Sequence, residues 1–177
     1  YPIVHRPTSG PDFFQFVVAY GGDYYDPETN KLVIDKAALE ATLQFFADNV
    51  KDGLTPSGMT TWPWPAVHRA IAEEGTAGMQ ITGGMWFWAE WQRDFGIPEE
   101  DLWENLTWSL IPAGSEKGRP NQLGHPLAYM VTSPSHHKDL AFLLITLASE
   151  VDLNTRHSLE AAKLAIRRSQ TAFPRFL

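Results

Sequence analysis

The sequence predicts an α/β fold in which a central mixed sheet is flanked by helices. Short apolar runs with the two-residue period of a strand alternate with longer runs that have the helical period. Gly, Pro, Asn and Asp separate the two kinds of run, as expected for turns. The 177-residue length suits one domain with its own core. We therefore predict a single α/β unit over residues 1–177.

The composition excludes several classes of protein. A formal net charge of -7 argues against nucleic-acid binding, which Lys and Arg drive. Without cysteine there is neither a disulfide framework nor a thiolate metal site. The six histidines show no metal-ligand spacing, so no metal or cofactor is predicted. No apolar run reaches the roughly 18 residues of a transmembrane helix. The opening residues, YPIVHRPTSGPDFF, resemble the middle of a chain, which suggests a fragment or a processed piece.

The first half of the chain predicts two strands and three helices. A strand at 1–5 precedes a helix that Asp12 caps, and a strand at 32–34 precedes a helix that Asp35 caps and Gly53 ends. The third helix carries Pro65 in its first turn. We expect the apolar stripe of the second helix to face the core; it comprises Leu39, Leu43, Phe46 and Val50.

The stretch from residue 75 to 91 predicts a strand, a tight Gly83-Gly84 turn and a helix. Such a turn leaves the first backbone N–H groups of the helix unpaired beyond the strand end. Trp86 lies in that first turn, where a flat aromatic ring beside free donors suits a sugar ring. We therefore assign Gly84, Met85 and Trp86 to a ligand site. Trp88 and Trp91, three residues apart on one helical face, are expected in the core.

The second half predicts three further strands, at 106–110, 127–131 and 164–166. A loop or short acidic helix is expected at 96–103, and helices begin at Ser133 and span 150–162. The stripe of the Ser133 helix should also be buried; it comprises Leu140, Leu143, Leu144 and Leu147.

Two other segments carry candidate ligand contacts. Ser9 and Asp12 offer short polar groups before a helix, although capping alone explains Asp12. In the second segment, Gly124 and His125 lead into a strand predicted to be buried. There His125 is a ligand donor or a structural histidine bonded to a neighbouring loop. Both alternatives stay open on the sequence.

The carboxylates bear on an enzymatic alternative, because glycosidases need an acid pair. Glu73, Glu74 and Glu104 are available, but they fall at helix ends and in polar loops, where solvated charge is the default. The sequence therefore favours binding without catalysis, and a glycosidase-like enzyme fragment with Trp stacking and two carboxylates remains the alternative.

The order of motifs resembles the extracellular solute-binding proteins of ABC sugar importers, the maltose-binding-protein-like group. The resemblance runs from about residue 5 to 169. It rests on Gly21-Gly22 before a capped helix, then the segments EGTAGM, GGMW and LIPAG, and a strand that ends in TSPS before another helix.

The resemblance implies a periplasmic-binding-protein type II lobe, most of the second of two lobes. Residues 163–177 would return toward the hinge or the missing first lobe, and the sugar would lie in the cleft between the lobes. A Trp placed like Trp86 stacks on sugar in this family. The loop before Pro65 borders the cleft, which makes Trp62 and Trp64 candidates. The implied partners are a sugar, the membrane permease subunits of an ABC importer and the first lobe. The implied location is periplasmic or extracellular, with a lipid anchor on the full-length protein as an option.

The resemblance and the turn positions together predict one ligand-binding edge. The segments at Ser9–Asp12, Trp62–Trp64, Trp86 and Gly124–His125 should meet there, since ligands of α/β folds lie beyond strand ends. A structural domain with all its tryptophans in the core is the third alternative.

Overall fold

The computed structural model describes residues 1–6, 9–81, 86–122, 128–161, 163 and 167–172, with Trp86 described through its backbone alone. The chain divides into two compact units. The first comprises 1–82 and 103–124, and the second comprises 83–102 and 125–177. Within the described residues, no helix combines the length and the apolar composition that crossing a membrane requires.

Two parallel strands organise the first unit. Strand β1, Val4–His5, pairs with β4, Gln80–Ile81, so that Val4 lies beside Gln80 and His5 beside Ile81. Both strands are shorter than the apolar runs predict. Because the strands are parallel, their carboxyl ends lie at the same edge. A second pair, β2 (Tyr25–Asp26) and β3 (Lys31–Leu32), is antiparallel and forms a separate hairpin.

Helix α1 spans Gly10–Ala19 and follows β1 directly. Its N-cap is Ser9, whose hydroxyl accepts a hydrogen bond from the Asp12 backbone N–H at 3.4 Å. The prediction that Asp12 caps this helix is therefore wrong. Pro11 accounts for the difference, because its fixed φ and missing N–H suit the first helical turn and move the cap back to Ser9.

Helix α2 spans Lys36–Lys51 and confirms the predicted boundaries. Asp35 caps it by accepting from the Ala38 N–H at 3.0 Å. Gly53 follows with a φ of +68°, the left-handed conformation that glycine adopts without a steric penalty.

The buried face of α2 differs from the predicted stripe. Leu43 and Val50 are 54% and 42% exposed, whereas Ala38, Thr42 and Asn49 are buried. Phe45 and Phe46 reach α1 instead, and their rings lie 5.1 Å from that of Phe16. The small residues on α2 allow close approach to α1, while its aromatic residues fill the space between the helices. Leu43 and Val50 consequently line a cavity rather than the core.

Helix α3, Trp64–Ala72, and a 3₁₀ turn at Met59–Thr61 complete this core. Pro65 lies in the first turn of α3, as predicted. The buried cluster holds β1 against α3, and its members are Val4, Met59, Val67, Ala70 and Ala77, with Trp62 and Ile71 packed at its border.

The segment around 111–121 forms hydrogen bonds with the carbonyl groups at the carboxyl end of α1. Gly114 donates its N–H to the Ala19 carbonyl at 2.8 Å, and the Ser115 hydroxyl donates to the Tyr20 carbonyl at 3.0 Å. These bonds satisfy carbonyl groups that have no partner within the helix. Gly118 lies so close to Ala19 that a Cβ there would lie 1.7 Å from the carbonyl oxygen.

The remaining helices are α4 (Trp86–Phe95), α5 (Glu99–Asn105), α6 (Lys138–Ala148) and α7 (Val151–Glu160), with a 3₁₀ turn at Arg168–Ala172. Trp88 and Trp91 are buried, which confirms their predicted core position. Helix α5 confirms the short acidic helix expected near 96–103, and α7 confirms the helix predicted within 150–162.

The second half corrects four predictions. Helix α6 begins at Lys138 rather than Ser133, and its four stripe leucines are each at least half exposed. Residues 106–110 form no strand, although Ile111 makes an isolated bridge with Asn121. Residues 128–131 form none either, and Met130 is 85% exposed. Alternating or apolar runs permit a strand, but a strand also needs a partner, and the described residues supply none here. The strand predicted at 164–166 lies outside the described residues.

Candidate functional site

A cavity of about 330 Å³ opens at the carboxyl ends of β1 and β4. His5 and Ile81, the terminal residues of the two strands, both line it. Its remaining lining comes from α1, α2 and the 3₁₀ turn, and comprises Arg6, Ser9, Asp12, Phe13, Leu43, Phe46, Ala47, Val50, Met59 and Thr60. The volume lies at the lower end of the range, about 300–1,000 Å³, that small-molecule sites occupy.

Three polar residues form a connected group on one side of the cavity. Arg6 donates from Nη2 to the Ser9 hydroxyl at 2.5 Å, and its Nε lies 3.4 Å from Oδ2 of Asp12. Ser9 and Asp12 are both more than nine-tenths buried. The predicted ligand residues Ser9 and Asp12 therefore line the cavity, but both also hold Arg6 and the start of α1 in place.

Trp64 supports this group from the start of α3. The Arg6 guanidinium lies 4.6 Å from the centroid of the Trp64 ring, within the range of a cation–π interaction. His68, one turn further along α3, meets the same ring edge-on with centroids 4.1 Å apart. Trp62 is half-buried and packs against the core cluster. Neither tryptophan lines the cavity itself, and their contact with a ligand stays a prediction.

His5 lines the cavity at the end of β1. Its backbone N–H donates to Sδ of Met59 at 3.3 Å, and its ring lies 4.5 Å from that of Phe46. Nε2 of His5 is buried and has no hydrogen-bond partner among the described residues. Burial lowers the pKa of His5 from 6.5 to about 4, against a smaller opposing effect of a hydrogen bond with the Arg6 backbone. The imidazole is therefore neutral at pH 7.

The other predicted site residues lie wholly or partly outside the described structure. Gly84, Met85, Gly124 and His125 are not among the described residues, and neither is the side chain of Trp86. The backbone of Trp86 begins helix α4, as the two preceding glycines predict. The ligand roles of these five residues, and their meeting with the Ser9 segment at one edge, stay predictions.

Sequence reasoning missed His5, Arg6, Phe46 and Met59 as cavity residues. His5 and Arg6 carried one usable signal, since they stand where a predicted strand ends and a Pro-Thr-Ser-Gly turn begins. Polar residues at that place lie beyond a strand end, where ligands of α/β folds bind. Phe46 and Met59 carried no such signal, because they reach the cavity only through tertiary packing.

The described residues give no indication of a metal centre. Within the described ranges, no three His, Cys, Asp or Glu side chains converge as a metal site would require. The charges at the cavity come from Arg6 and Asp12, which pair with each other.

Comparison with known proteins identifies the fold. No protein-family model matches the sequence, and no curated protein matches it. Two solved structures are similar: the maltose-bound MalE3 of T. maritima, with a TM-score of 0.72 and 22% identity, and the maltose/maltodextrin-binding domain MalE from Bdellovibrio bacteriovorus bound to maltotriose, with a TM-score of 0.70 and 19% identity.

The matches extend over nearly the whole of this chain but less than half of each known one. They cover 99% and 98% of this chain and 44% and 43% of the two MalE chains, respectively. The predicted α/β class and the resemblance to the maltose-binding-protein-like group are confirmed at the level of the fold. The chain has the fold of part of a maltose-binding protein.

Proposed function

We propose that this chain is part of a carbohydrate-binding protein that holds a mono- or oligosaccharide and delivers it to an ABC importer without catalysis. The cavity at the carboxyl ends of β1 and β4 carries this proposal. Its walls combine the aromatic rings of Phe13 and Phe46 with the polar groups of Ser9, Asp12 and Thr60. Sugars need both kinds of surface, because their C–H faces pack on apolar groups while their hydroxyls need hydrogen bonds.

The likeness to sugar-bound proteins supports the same ligand class. Both similar structures hold maltose or maltotriose, and both share the fold over nearly the whole of this chain. In the proposed protein, a first lobe closes over the sugar, and closure lets the permease subunits distinguish loaded from empty protein. Such a protein works outside the cytoplasmic membrane, in the periplasm or extracellularly, and a lipid anchor would keep it near the importer.

The charges of the cavity favour binding over hydrolysis. Among its described lining residues, Asp12 is the one carboxylate, whereas glycoside hydrolysis uses two. Glu73 forms an exposed ion pair with Arg69 at 3.0 Å, and Glu74 accepts from Thr76 at the surface. The contacts of these two carboxylates are local ones, within helix α3 and the turn after it, and they form no acid pair at the cavity.

A sugar screen on the full-length protein tests the proposal. A ligand that binds only the native state raises the melting temperature, so thermal shift should select one sugar class, and calorimetry should confirm a stoichiometric complex. If no mono- or oligosaccharide raises the melting temperature, the proposal is wrong.

Hydrolysis is tested separately, by incubating the protein with oligosaccharides and analysing the products. We expect intact oligosaccharides. Reproducible cleavage that disappears when Glu73, Glu74 or Glu104 is replaced by Gln would establish the glycosidase-like alternative instead.

A further inference from the structure

One wall of the cavity is an apolar face of helix α2. Leu43, Phe46, Ala47 and Val50 all line the cavity, and their helical spacing places them on one side of α2. We call these four residues the α2 stripe. Leu43 is 54% exposed and Val50 is 42% exposed, so the core of the described residues does not cover this face. A contiguous apolar face that stays exposed commonly marks a surface that binds another molecule.

Most of the polar atoms around the cavity are withdrawn from a ligand. Nε2 of His5, Nε of Arg6 and Oδ2 of Asp12 have almost no accessible surface. The Ser9 hydroxyl already accepts hydrogen bonds from Arg6 and from the Asp12 backbone. The Arg6 side chain is 33% exposed and Thr60 is exposed, so these two residues are the polar ones that a ligand reaches most easily. Apolar side chains from three further elements complete the lining, namely Phe13, Met59 and Ile81.

The charges that line the cavity favour an uncharged ligand. His5 is neutral at pH 7, since burial lowers its pKa to about 4. Arg6 and Asp12, the other ionisable groups among the described lining residues, form an ion pair with 3.4 Å between Nε and Oδ2. A carboxylate or an ammonium group packed against the α2 stripe would therefore be buried without a partner of opposite charge, which is strongly unfavourable.

The size of the cavity suits a small molecule rather than a protein segment. Its volume is about 330 Å³. An apolar cavity of about 150 Å³ already holds a benzene ring, so there is room here for a ring and part of the sugar that carries it. A helix with its side chains is about 10–12 Å across and would need a longer groove.

We propose that the cavity binds a sugar that carries an uncharged apolar substituent, such as an aryl or alkyl group, and that this substituent packs against the α2 stripe. The inference rests on the proposed function and names the ligand class of the same site. The few polar groups within reach bind hydroxyl groups of the sugar, and the apolar lining removes the substituent from water. Burying that surface adds binding free energy that an unsubstituted sugar does not provide.

Two substitutions in the α2 stripe and one control test this assignment. Ala47→Phe fills part of the cavity, and Leu43→Gln places a polar amide on the same wall; both residues are exposed on α2, so neither change disturbs the core. Ala37→Phe is the matched control, because Ala37 is exposed on the same helix and does not line the cavity. Calorimetry on the full-length protein would compare the methyl, phenyl and 4-carboxyphenyl glycosides of glucose, galactose, mannose and maltose.

We expect the wild-type protein to bind one phenyl glycoside at least about tenfold more tightly than its methyl counterpart, because the ring buries apolar surface. The 4-carboxyphenyl glycoside should lose this gain. In Ala47→Phe and in Leu43→Gln the ratio of the phenyl to the methyl affinity should fall to about two or less, with little change in the affinity for the methyl glycoside. Ala37→Phe should keep the ratio of the wild type.

The outcomes separate this inference from the proposed function. If the wild-type protein binds methyl and phenyl glycosides equally well, or if the two α2 variants keep the wild-type ratio, the inference is wrong and the proposed function stands. A 4-carboxyphenyl glycoside that binds as tightly as the phenyl glycoside contradicts the uncharged class. If Ala47→Phe lowers the melting temperature of the ligand-free protein while Ala37→Phe does not, and the ratio is unchanged, another segment of the same protein fills the cavity. A protein that binds none of these glycosides overturns the inference, and the proposed function falls with it only if the broader sugar screen also fails.

Discussion

The guanidinium group of Arg6 lies over the indole ring of Trp64, with Cζ 4.6 Å from the ring centroid. The same guanidinium donates to Ser9 and pairs with Asp12, both at the start of α1. Arg6 therefore connects the first turn of α1 to the first turn of α3. The planar guanidinium allows these contacts together, since its N–H groups lie at the edge while its face stacks on the ring.

Replacing Arg6 by Leu should destabilise the protein by about 1–3 kcal/mol. The change removes the ion pair between Arg6 and the Asp12 carboxylate, whose side chain is only 10% exposed. Urea unfolding measures the loss. The matched control is Lys36→Leu, since Lys36 pairs with Glu40 on the exposed surface of α2 and should cost at most about 0.5 kcal/mol.

The double variant Arg6→Leu/Asp12→Asn identifies the cause of that loss. It removes both charges, so its destabilisation should be smaller than the sum of the two single changes. Strict additivity would show that Arg6 acts through its contact with Trp64 and not through Asp12.

The stability of the protein should fall as the pH decreases from 6.5 to about 4. The folded pKa of His5 is about 4, below its ordinary value of 6.5, because burial disfavours the charged imidazole. Between these two values the unfolded chain binds a proton that the folded chain does not bind. The contribution of His5 is therefore fully present above pH 6.5 and is lost toward pH 4, with a slope of at most about 1.4 kcal/mol per pH unit.

Comparison with His5→Gln isolates this effect. Arg6 and Asp12 also face the cavity, and both are present in the wild type and in the variant. The difference in unfolding free energy between wild type and variant should change with pH between 6.5 and 4, and should be constant above pH 7. A difference that does not change with pH would contradict the lowered pKa.

Trp86→Ala should weaken sugar binding about two- to tenfold with little change in stability. A stacked aromatic ring contributes about 0.5–1.5 kcal/mol of binding free energy in addition to the energy of burying its area, and this loss corresponds to the stated change in affinity. Calorimetry on the full-length protein measures it. Trp103→Ala is the control of the same residue type, since Trp103 is 57% exposed. Unchanged affinity in Trp86→Ala would exclude the stacking role.

Gly118→Ala should lower the free energy of unfolding of the first unit by at least about 1 kcal/mol. The added Cβ would lie 1.7 Å from the Ala19 carbonyl oxygen, so the backbone must move. Gly78→Ala is the matched control, because the added Cβ would lie 3.7 Å from its nearest neighbour, the Pro2 carbonyl oxygen, which is an ordinary van der Waals distance. Thermal unfolding of both variants should separate them clearly, and equal melting temperatures would contradict the close packing at Gly118.

Local signals in the sequence predicted the helix boundaries where capping chemistry decides them. Asp35 and Gly53 fix the ends of α2 because each provides a local function, a side-chain acceptor at the start and a left-handed φ at the end. Asp12 failed as a predicted cap because Ser9, three residues earlier, can supply the same side-chain acceptor, and Pro11 favours Ser9 as the cap.

Tertiary packing determines which face of a helix is buried and which apolar runs become strands, and local sequence signals do not report either. The helical period of α2 indicates an amphipathic face, but the buried residues are Ala38 and Thr42, while Phe45 packs against Phe16 of α1. The strand predicted at 106–110 has the right alternation, yet no partner strand lies beside it among the described residues. At the candidate site, the sequence predicted Ser9 and Asp12 but not His5, which lines the cavity where β1 ends beside β4.

The pairing of β1 with β4 also has a kinetic consequence. It joins the fourth and fifth residues to the eightieth and eighty-first, so α1, α2 and α3 all lie in the loop that the two strands close. Closing so long a loop costs chain entropy before the strand contacts compensate for it, which slows folding. Because His5 and Ile81 both belong to this pair, the cavity should form late, after the helices have assembled. Pulse-labelling hydrogen exchange during refolding should accordingly protect the amides of α2 before those of β4.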